Sequence, residues 1–191
     1  MGLIARLFER FQTDDDRRAV ARDLYMRCVA QARWPGFYCQ GGVPDTKEGR
    51  FAWLSAHVAL MLRRLKALDE DERSLAQDLV DQMMTDMDRS LREMGVGDLS
   101  VGKHVRKLAE AFYAQAQRLD ANLTTDDRPA TARLIAENVL EIPSAAVTPT
   151  VERLGIYLHV QAEILRSQRQ AAALAFTHEG WPARPRHPKS V

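Results

Sequence analysis

The sequence predicts an all-α protein, a single-domain bundle of about six helices built from helical hairpins. Three observations carry that expectation. Apolar residues recur at steps of three and four over long stretches: Phe51, Leu54, Val58, Met61, Leu65 and Leu68, then Leu75, Leu79, Met83, Met87, Leu91 and Met94. That spacing lines one face of an α-helix. Helix-start chemistry precedes several such stripes, as in Thr148-Pro149, where proline suits the first helical position. The eight prolines fall at boundaries rather than inside the stripes.

Residues 2–11 place Leu3, Ile4, Leu7, Phe8 and Phe11 on one helical face, with Arg6, Glu9 and Arg10 elsewhere. This amphipathic segment, residues 1–12, either docks on the body or lies on a membrane surface, which leaves open a membrane-surface scaffold protein. The helical domain is expected over 13–176. Thr13 followed by Asp14, Asp15 and Asp16 reads as its first helix start, because a hydroxyl caps and carboxylates favour the positive end of the dipole. Val20, Leu24, Cys28 and Val29 carry that helix to about Arg33, and Trp34-Pro35-Gly36 ends it. Residues 34–47 read as an irregular stretch whose rings, Trp34, Phe37 and Tyr38, pin it to the body. Asp45-Thr46-Lys47-Glu48 has the spacing of a capping box for the next helix. His57 beside that helix's stripe reads as a structural histidine.

Asp69-Glu70-Asp71-Glu72 opens the following helix, with acids again at the positive end. Gly95-Val96-Gly97 turns the chain, Gly95 as a left-handed C-cap and Asp98 or Ser100 as the next cap. Val101, Val105, Leu108, Phe112 and Leu119 form the next inner face, and Gly102 near its start suggests a close helix crossing. Residues 120–128 form a polar linker. Thr125 with Asp126 and Asp127 starts a short helix that Pro143 closes. The last helix reads from Pro149 to about Phe176, and the Pro-rich basic tail, 177–191, reads as disordered.

A net charge of +1 argues against bulk attraction to nucleic acid. The two cysteines, Cys28 and Cys39, fit neither a metal spacing nor a disulfide framework, so a reducing compartment is expected. No apolar run is long enough to span a membrane, and the first residues lack the form of a secretory signal. No catalytic motif is present, and neither a metal nor another cofactor is expected. Asp78, Asp81, Asp86 and Asp88 leave open an all-α enzyme with an Asp-rich metal site, although Asp86 and Asp88 point about 200° apart on a helix. His159 and Glu163, four residues apart, are a possible ligand pair without a third member.

Two candidate contact groups stand out. Met83, Met84, Met87 and Met94 cluster before the glycine turn, and flexible methionine suits adaptable binding surfaces. Lys103, Arg106 and Lys107 follow it, in the first turns of a helix, where the dipole disfavours cations.

Two longer motifs bear on identity. Gly42-Val43-Pro44-Asp45-Thr46-Lys47-Glu48-Gly49-Arg50-Phe51, and the stretch from Asp86-Met87-Asp88 through Arg92-Glu93-Met94-Gly95-Val96-Gly97-Asp98 to Val101-Gly102-Lys103, resemble the ubiquinol–cytochrome c chaperone family, as does Ala111-Phe112-Tyr113. The likeness covers roughly residues 20–175. It implies a non-enzymatic assembly factor of the cytochrome bc complex that holds newly made cytochrome b. It further implies a structural role for Gly42, Pro44, Asp45, Gly49, Arg50, Gly95, Gly97 and Gly102. By the same likeness the partners would be nascent cytochrome b, the ribosome, the membrane surface and a small partner subunit. The absence of a transit peptide matches bacterial members, so the expected location is the cytoplasm, peripheral to the inner membrane. The cations at 103, 106 and 107 would then meet ribosomal RNA or anionic lipid.

Overall fold

A computed structural model describes the backbone of residues 3–68, 72–143 and 146–181, and the side chains of 14–68, 73–98, 100–143 and 146–181. The stripe expected from Leu3 to Phe11, the acidic start at 69–72 and the tail from residue 182 lie outside the described side chains. Among the described residues the secondary structure is entirely helical: α1 (Leu3–Ala32), α2 (Pro35–Cys39), α3 (Lys47–Lys66), α4 (Glu72–Glu93), α5 (Asp98–Thr124), α6 (Arg128–Asn138) and α7 (Pro149–Ser167), with a 3-10 turn at Ala171–Ala173. Six of these are long, as the sequence predicts. The seventh, α2, is a five-residue piece inside the stretch read as irregular.

The bundle is built around α3. Every residue from Ala52 to Leu62 is buried, and a helix apolar all round is one covered on all sides. Its neighbours are α1, α4, α5 and α7. The sequence stripe marks one face; Trp53, Ala56, His57 and Leu60 fill the others. Thr46 caps α3, its Oγ1 accepting from the Gly49 N–H at 3.1 Å. The cap is thus one residue later than the capping-box reading. Asp45 instead pairs with Arg50 at 2.5 Å, whose guanidinium lies over the Tyr38 ring.

Helix α1 runs unbroken through Thr13, so the expected helix start there does not exist. No glycine or proline interrupts it. The acids read as a cap are intrahelical partners: Asp14 meets Arg17 at 2.6 Å and Asp15 meets Arg18 at 3.9 Å. Arg17 also reaches Asp78 at 2.6 Å, and the Tyr25 hydroxyl donates to Asp86 at 2.7 Å. Both pairs span 61 residues, which makes α1 and α4 parallel. Pro35 does not merely stop α1. It opens α2 at a position where its missing N–H would have no intrahelical partner.

Phe37 of α2 enters a cluster of rings, 5.0 Å from Trp53, 4.9 Å from Tyr157 and 5.3 Å from Trp181, centroid to centroid. The pinned loop expected from its aromatics is therefore present. Trp181 reveals a second difference from the sequence reading. Helix α7 stops at Ser167 rather than near Phe176, and the chain then crosses the body as a strap held by side chains. Gln168 brackets Ala175 with two 2.8 Å hydrogen bonds, and Gln161 accepts from the Thr177 N–H and donates to the Glu179 carbonyl. Residues 177–181, read as the start of a disordered tail, end on a buried tryptophan.

The α4–α5 turn is a Schellman closure. The Val96 N–H bonds to the Leu91 carbonyl and the Gly95 N–H to that of Arg92, with Gly95 at φ +82°. Gly97 caps α5, in place of Asp98 or Ser100. The cap of α6 is likewise Asp127 rather than Thr125. The turn is exposed rather than packed, and a Cβ on Gly102 would meet nothing within 4 Å, so no helix crosses there. Gly49, also helical, differs: a Cβ there would run into the Pro44 carbonyl oxygen. Gly102→Ala is therefore expected to raise the unfolding free energy by about 1 kcal/mol, and Gly49→Ala to lower it by roughly 1–3 kcal/mol. Urea denaturation of the two variants gives the signs; a stabilised Gly49→Ala protein would refute the close approach.

Candidate functional site

Helices α5 and α7 both lean on α3, and α6 packs against each of them. Between α5 and α7 lies a cleft of about 1100 Å³. Its floor is Ala59, Leu60 and Leu62 of α3. One wall is Tyr113, Ala116 and Leu123 of α5, the other Ile156, Val160 and Ile164 of α7. Tyr113 and Ile156 stand 49% and 40% exposed at its edge, two of the four large apolar side chains so exposed among the described residues. An exposed apolar surface continuous with an apolar cleft is the ordinary mark of a binding site.

Charges ring this apolar centre. Arg63 pairs with Asp120, Arg166 with Glu163, and Arg128 with Asp126. Arg64 donates to the Gln168 carbonyl rather than to an acid. Lys66 is exposed beside it. His159, in the wall, sits 3.0 Å from Thr131 Oγ1 and 3.0 Å from Asp126, and burial lowers its pKa. Glu163 turns away to Arg166, so the His159–Glu163 ligand pair does not form.

The four aspartates of α4 are engaged separately. Asp78 meets Arg17, Asp86 meets Tyr25 and Arg89, Asp88 meets Arg92, and Asp81 accepts from Gln77. Among the described residues no group of three or more His, Cys, Asp or Glu side chains is placed to hold a metal ion. Cys28 is buried, which pushes its thiol pKa up, and Cys39 is exposed; neither forms a disulfide.

The methionine group does not form one surface. Met83 is wholly buried in the core, and Met84 and Met87 pack against it half-covered. Positions 83 and 87 are one turn apart on the face α4 turns inward, where flexible thioethers fill gaps. Met94 alone is well exposed, at 45%.

Lys103, Arg106 and Lys107 are exposed along the outer face of α5, and Arg106 pairs with Glu110 at 3.0 Å. Because α5 begins at Asp98, Lys103 already lies beyond the first turn, where the dipole's penalty fades. Five residues of the loop motif have a visible structural role. Gly42 adopts φ +70°, Pro44 lies against Gly49, and Asp45 holds Arg50.

The cleft was legible only in part. Ile156, Val160 and Ile164 form a second apolar ridge at steps of four on α7, beside the buried Leu154, Leu158 and Leu165. Tyr113 belongs to a segment singled out by resemblance. Nothing local marks either group as uncovered.

Comparison with known proteins agrees with the architecture. The family model for the ubiquinol–cytochrome c chaperone matches residues 40–178. A crystal structure of the Cbp3 homologue from Brucella abortus aligns with a TM-score of 0.77 at 33% identity, covering 92% of this chain and 97% of that one. The ubiquinol-cytochrome-c reductase complex assembly factor 1 of Xenopus laevis is 26% identical over 117 residues, which make up 61% of this chain and 58% of the relative's length. With its motifs, its all-helical bundle and a family match over most of its length, the chain belongs to the ubiquinol–cytochrome c chaperone family.

Proposed function

We propose that this chain assists assembly of the ubiquinol–cytochrome c reductase complex by binding newly made cytochrome b. The observation that carries the reading is the likeness, over 92% of the chain, to the Brucella Cbp3 homologue, joined to the assembly-factor name of the Xenopus relative. The protein acts by binding, without a catalytic step. In support, Asp78, Asp86 and Asp88, needed by a metal-dependent enzyme, are held by Arg17, Arg89 and Arg92. No helix among the described residues is long and apolar enough to cross a membrane. The working position is the cytoplasmic face of the inner membrane, near the ribosome that delivers the client, with a small partner subunit as a further contact. The decisive experiment deletes the gene and measures the assembled complex by its haem spectra and by native electrophoresis. Loss of the complex, restored by the wild-type gene, is the expected result; normal assembly in the deletion strain refutes the function.

Lys103 and Lys107 are the proposed contacts to ribosome or anionic lipid, with Met94 exposed at the adjoining turn. Double charge reversal at these two lysines is expected to weaken co-sedimentation with ribosomes or vesicles several-fold. The change in unfolding free energy should stay within about 0.5 kcal/mol, as at other exposed sites. A large stability loss would make them structural instead. Flotation with and without residues 2–11 measures the contribution of the first segment to membrane contact.

A further inference from the structure

We infer that the cleft between α5 and α7 seats a helical segment of the client, two to three turns long, apolar on one face and acidic on the flank that meets the end of α3. The inference rests on the chaperone reading above and assigns the surface that performs it.

Size and shape come first. The α5 wall runs from Tyr113 to Leu123 and the α7 wall from Ile156 to Ile164. At 1.5 Å per residue these are walls of roughly 12–15 Å, two to three helical turns. The volume, about 1100 Å³, lies at the upper limit of small-molecule sites. Tyr113 and Ile156, exposed at the cleft's edge, leave it accessible to a polypeptide.

The conformation of the occupant follows from hydrogen bonding. Floor and walls are helices whose backbone groups are satisfied internally, so they present no edge for an added strand. An extended segment laid over Leu60, Leu62, Val160 and Ile164 would bury its own N–H and C=O groups without partners. A helix brings its hydrogen bonds with it and offers apolar side chains at steps of three and four. The exposed Tyr113 and Ile156 then gain cover from both sides.

Charge orients the occupant. Arg63, Arg128 and Arg166 are neutralised by Asp120, Asp126 and Glu163. Arg64 and Lys66, at the end of α3, have no acidic partner among the described residues: Arg64 leans on a carbonyl and Lys66 faces solvent. Two uncompensated cations at one end of an apolar trough complement a carboxylate there.

Photoreactive side chains placed one at a time in the full-length protein, during cell-free synthesis of cytochrome b, test the assignment. Positions 113 and 156 report the cleft, and position 22, on the exposed face of α1, serves as control. Cytochrome b is expected to cross-link from 113 and 156 at least tenfold more than from 22. Ile156→Glu should cut that yield about tenfold, and Lys66→Glu several-fold, with the thermal midpoint of each variant within a few degrees of wild type. If Ile156→Glu fails to fold, cross-linking from position 113 decides alone. Cross-links to cytochrome b from position 22 and not from the cleft would overturn the cleft and leave the chaperone reading standing. Cleft cross-links to a second copy of this chain or to added lipid would also overturn it. No cross-link to cytochrome b from any position would overturn the chaperone reading itself.

Discussion

Replacing Phe37 with alanine is expected to lower the unfolding free energy by about 3–5 kcal/mol, the usual range for removing a buried ring. Phe37 has no exposed surface and stands within 6 Å, centroid to centroid, of Trp34, Trp53, His57, Tyr157 and Trp181. Those rings come from the α1–α2 corner, α3, α7 and the strap. A cavity at their centre therefore removes contacts from four segments at once, and the stiff rings around it cannot collapse to refill it. Edge-on and tilted aromatic pairs add about 0.5–1.5 kcal/mol each beyond the area they bury. Urea denaturation followed by tryptophan fluorescence measures the loss, since Trp53 and Trp181 report the same cluster. A loss below about 1 kcal/mol would mean that α2 is a surface turn rather than part of the core.

Lowering the pH from 7 to about 4.5 is expected to cost the protein roughly 2 kcal/mol through His57 alone. Burial removes water from the imidazole and depresses its pKa from 6.5 to about 4, against a smaller opposing effect of the Trp53 carbonyl. The hydrogen bonds agree with a neutral ring. A carbonyl only accepts, so Nδ1 carries the proton and donates to Trp53 O at 2.9 Å, which leaves Nε2 to accept from the Tyr157 hydroxyl at 3.0 Å. The same hydroxyl accepts from Gln31, which also donates to the Thr177 carbonyl and so ties the strap to the core. In the unfolded chain His57 takes up a proton below pH 6.5, whereas the native chain does so only near pH 4. The unfolded state thus binds more protons across that window, so stability is full above pH 6.5 and falls as the pH drops toward 4. His159, also depressed by burial, acts in the same direction. Unfolding free energy against pH, with the His57 ring followed by NMR, checks the sign and the window. A His57 ring titrating near 6.5 would remove this source of acid sensitivity.

His57 illustrates what local sequence conveys well. A histidine one step off a sustained apolar stripe is read as structural, and it is. Thr148 caps α7 as expected, its Oγ1 accepting from Val151 N at 3.4 Å. Cap positions elsewhere move by a residue or two, to Thr46 and Asp127, because neighbouring polar residues compete for the same N–H groups and only the tertiary approach of the chain chooses among them. Thr13 shows the opposite error. Its acids fit a helix start, but they serve equally well as i,i+3 partners of arginine inside a longer helix.

The candidate site depended far more on the assembled bundle. Met83 and Met94 belong to one apolar stripe in the sequence, yet one is in the core and the other in solvent. Gly49 and Gly102 are both helical glycines, one against a carbonyl and one in open space. The ridge Ile156–Val160–Ile164 has the spacing of a covered face, and it borders a cleft because α5 and α7 stand apart over α3.

By itself the sequence determined the helical class, the approximate elements, the inward stripes and the family resemblance. Each of these is written in spacings of three or four residues, in caps, or in a contiguous motif. The tertiary structure alone decided that α3 is buried on every side, that α1 runs parallel to α4, that residues 168–181 strap the core, and that one apolar ridge is left uncovered. Those outcomes depend on which distant helix lies over a given face, and no local periodicity encodes that.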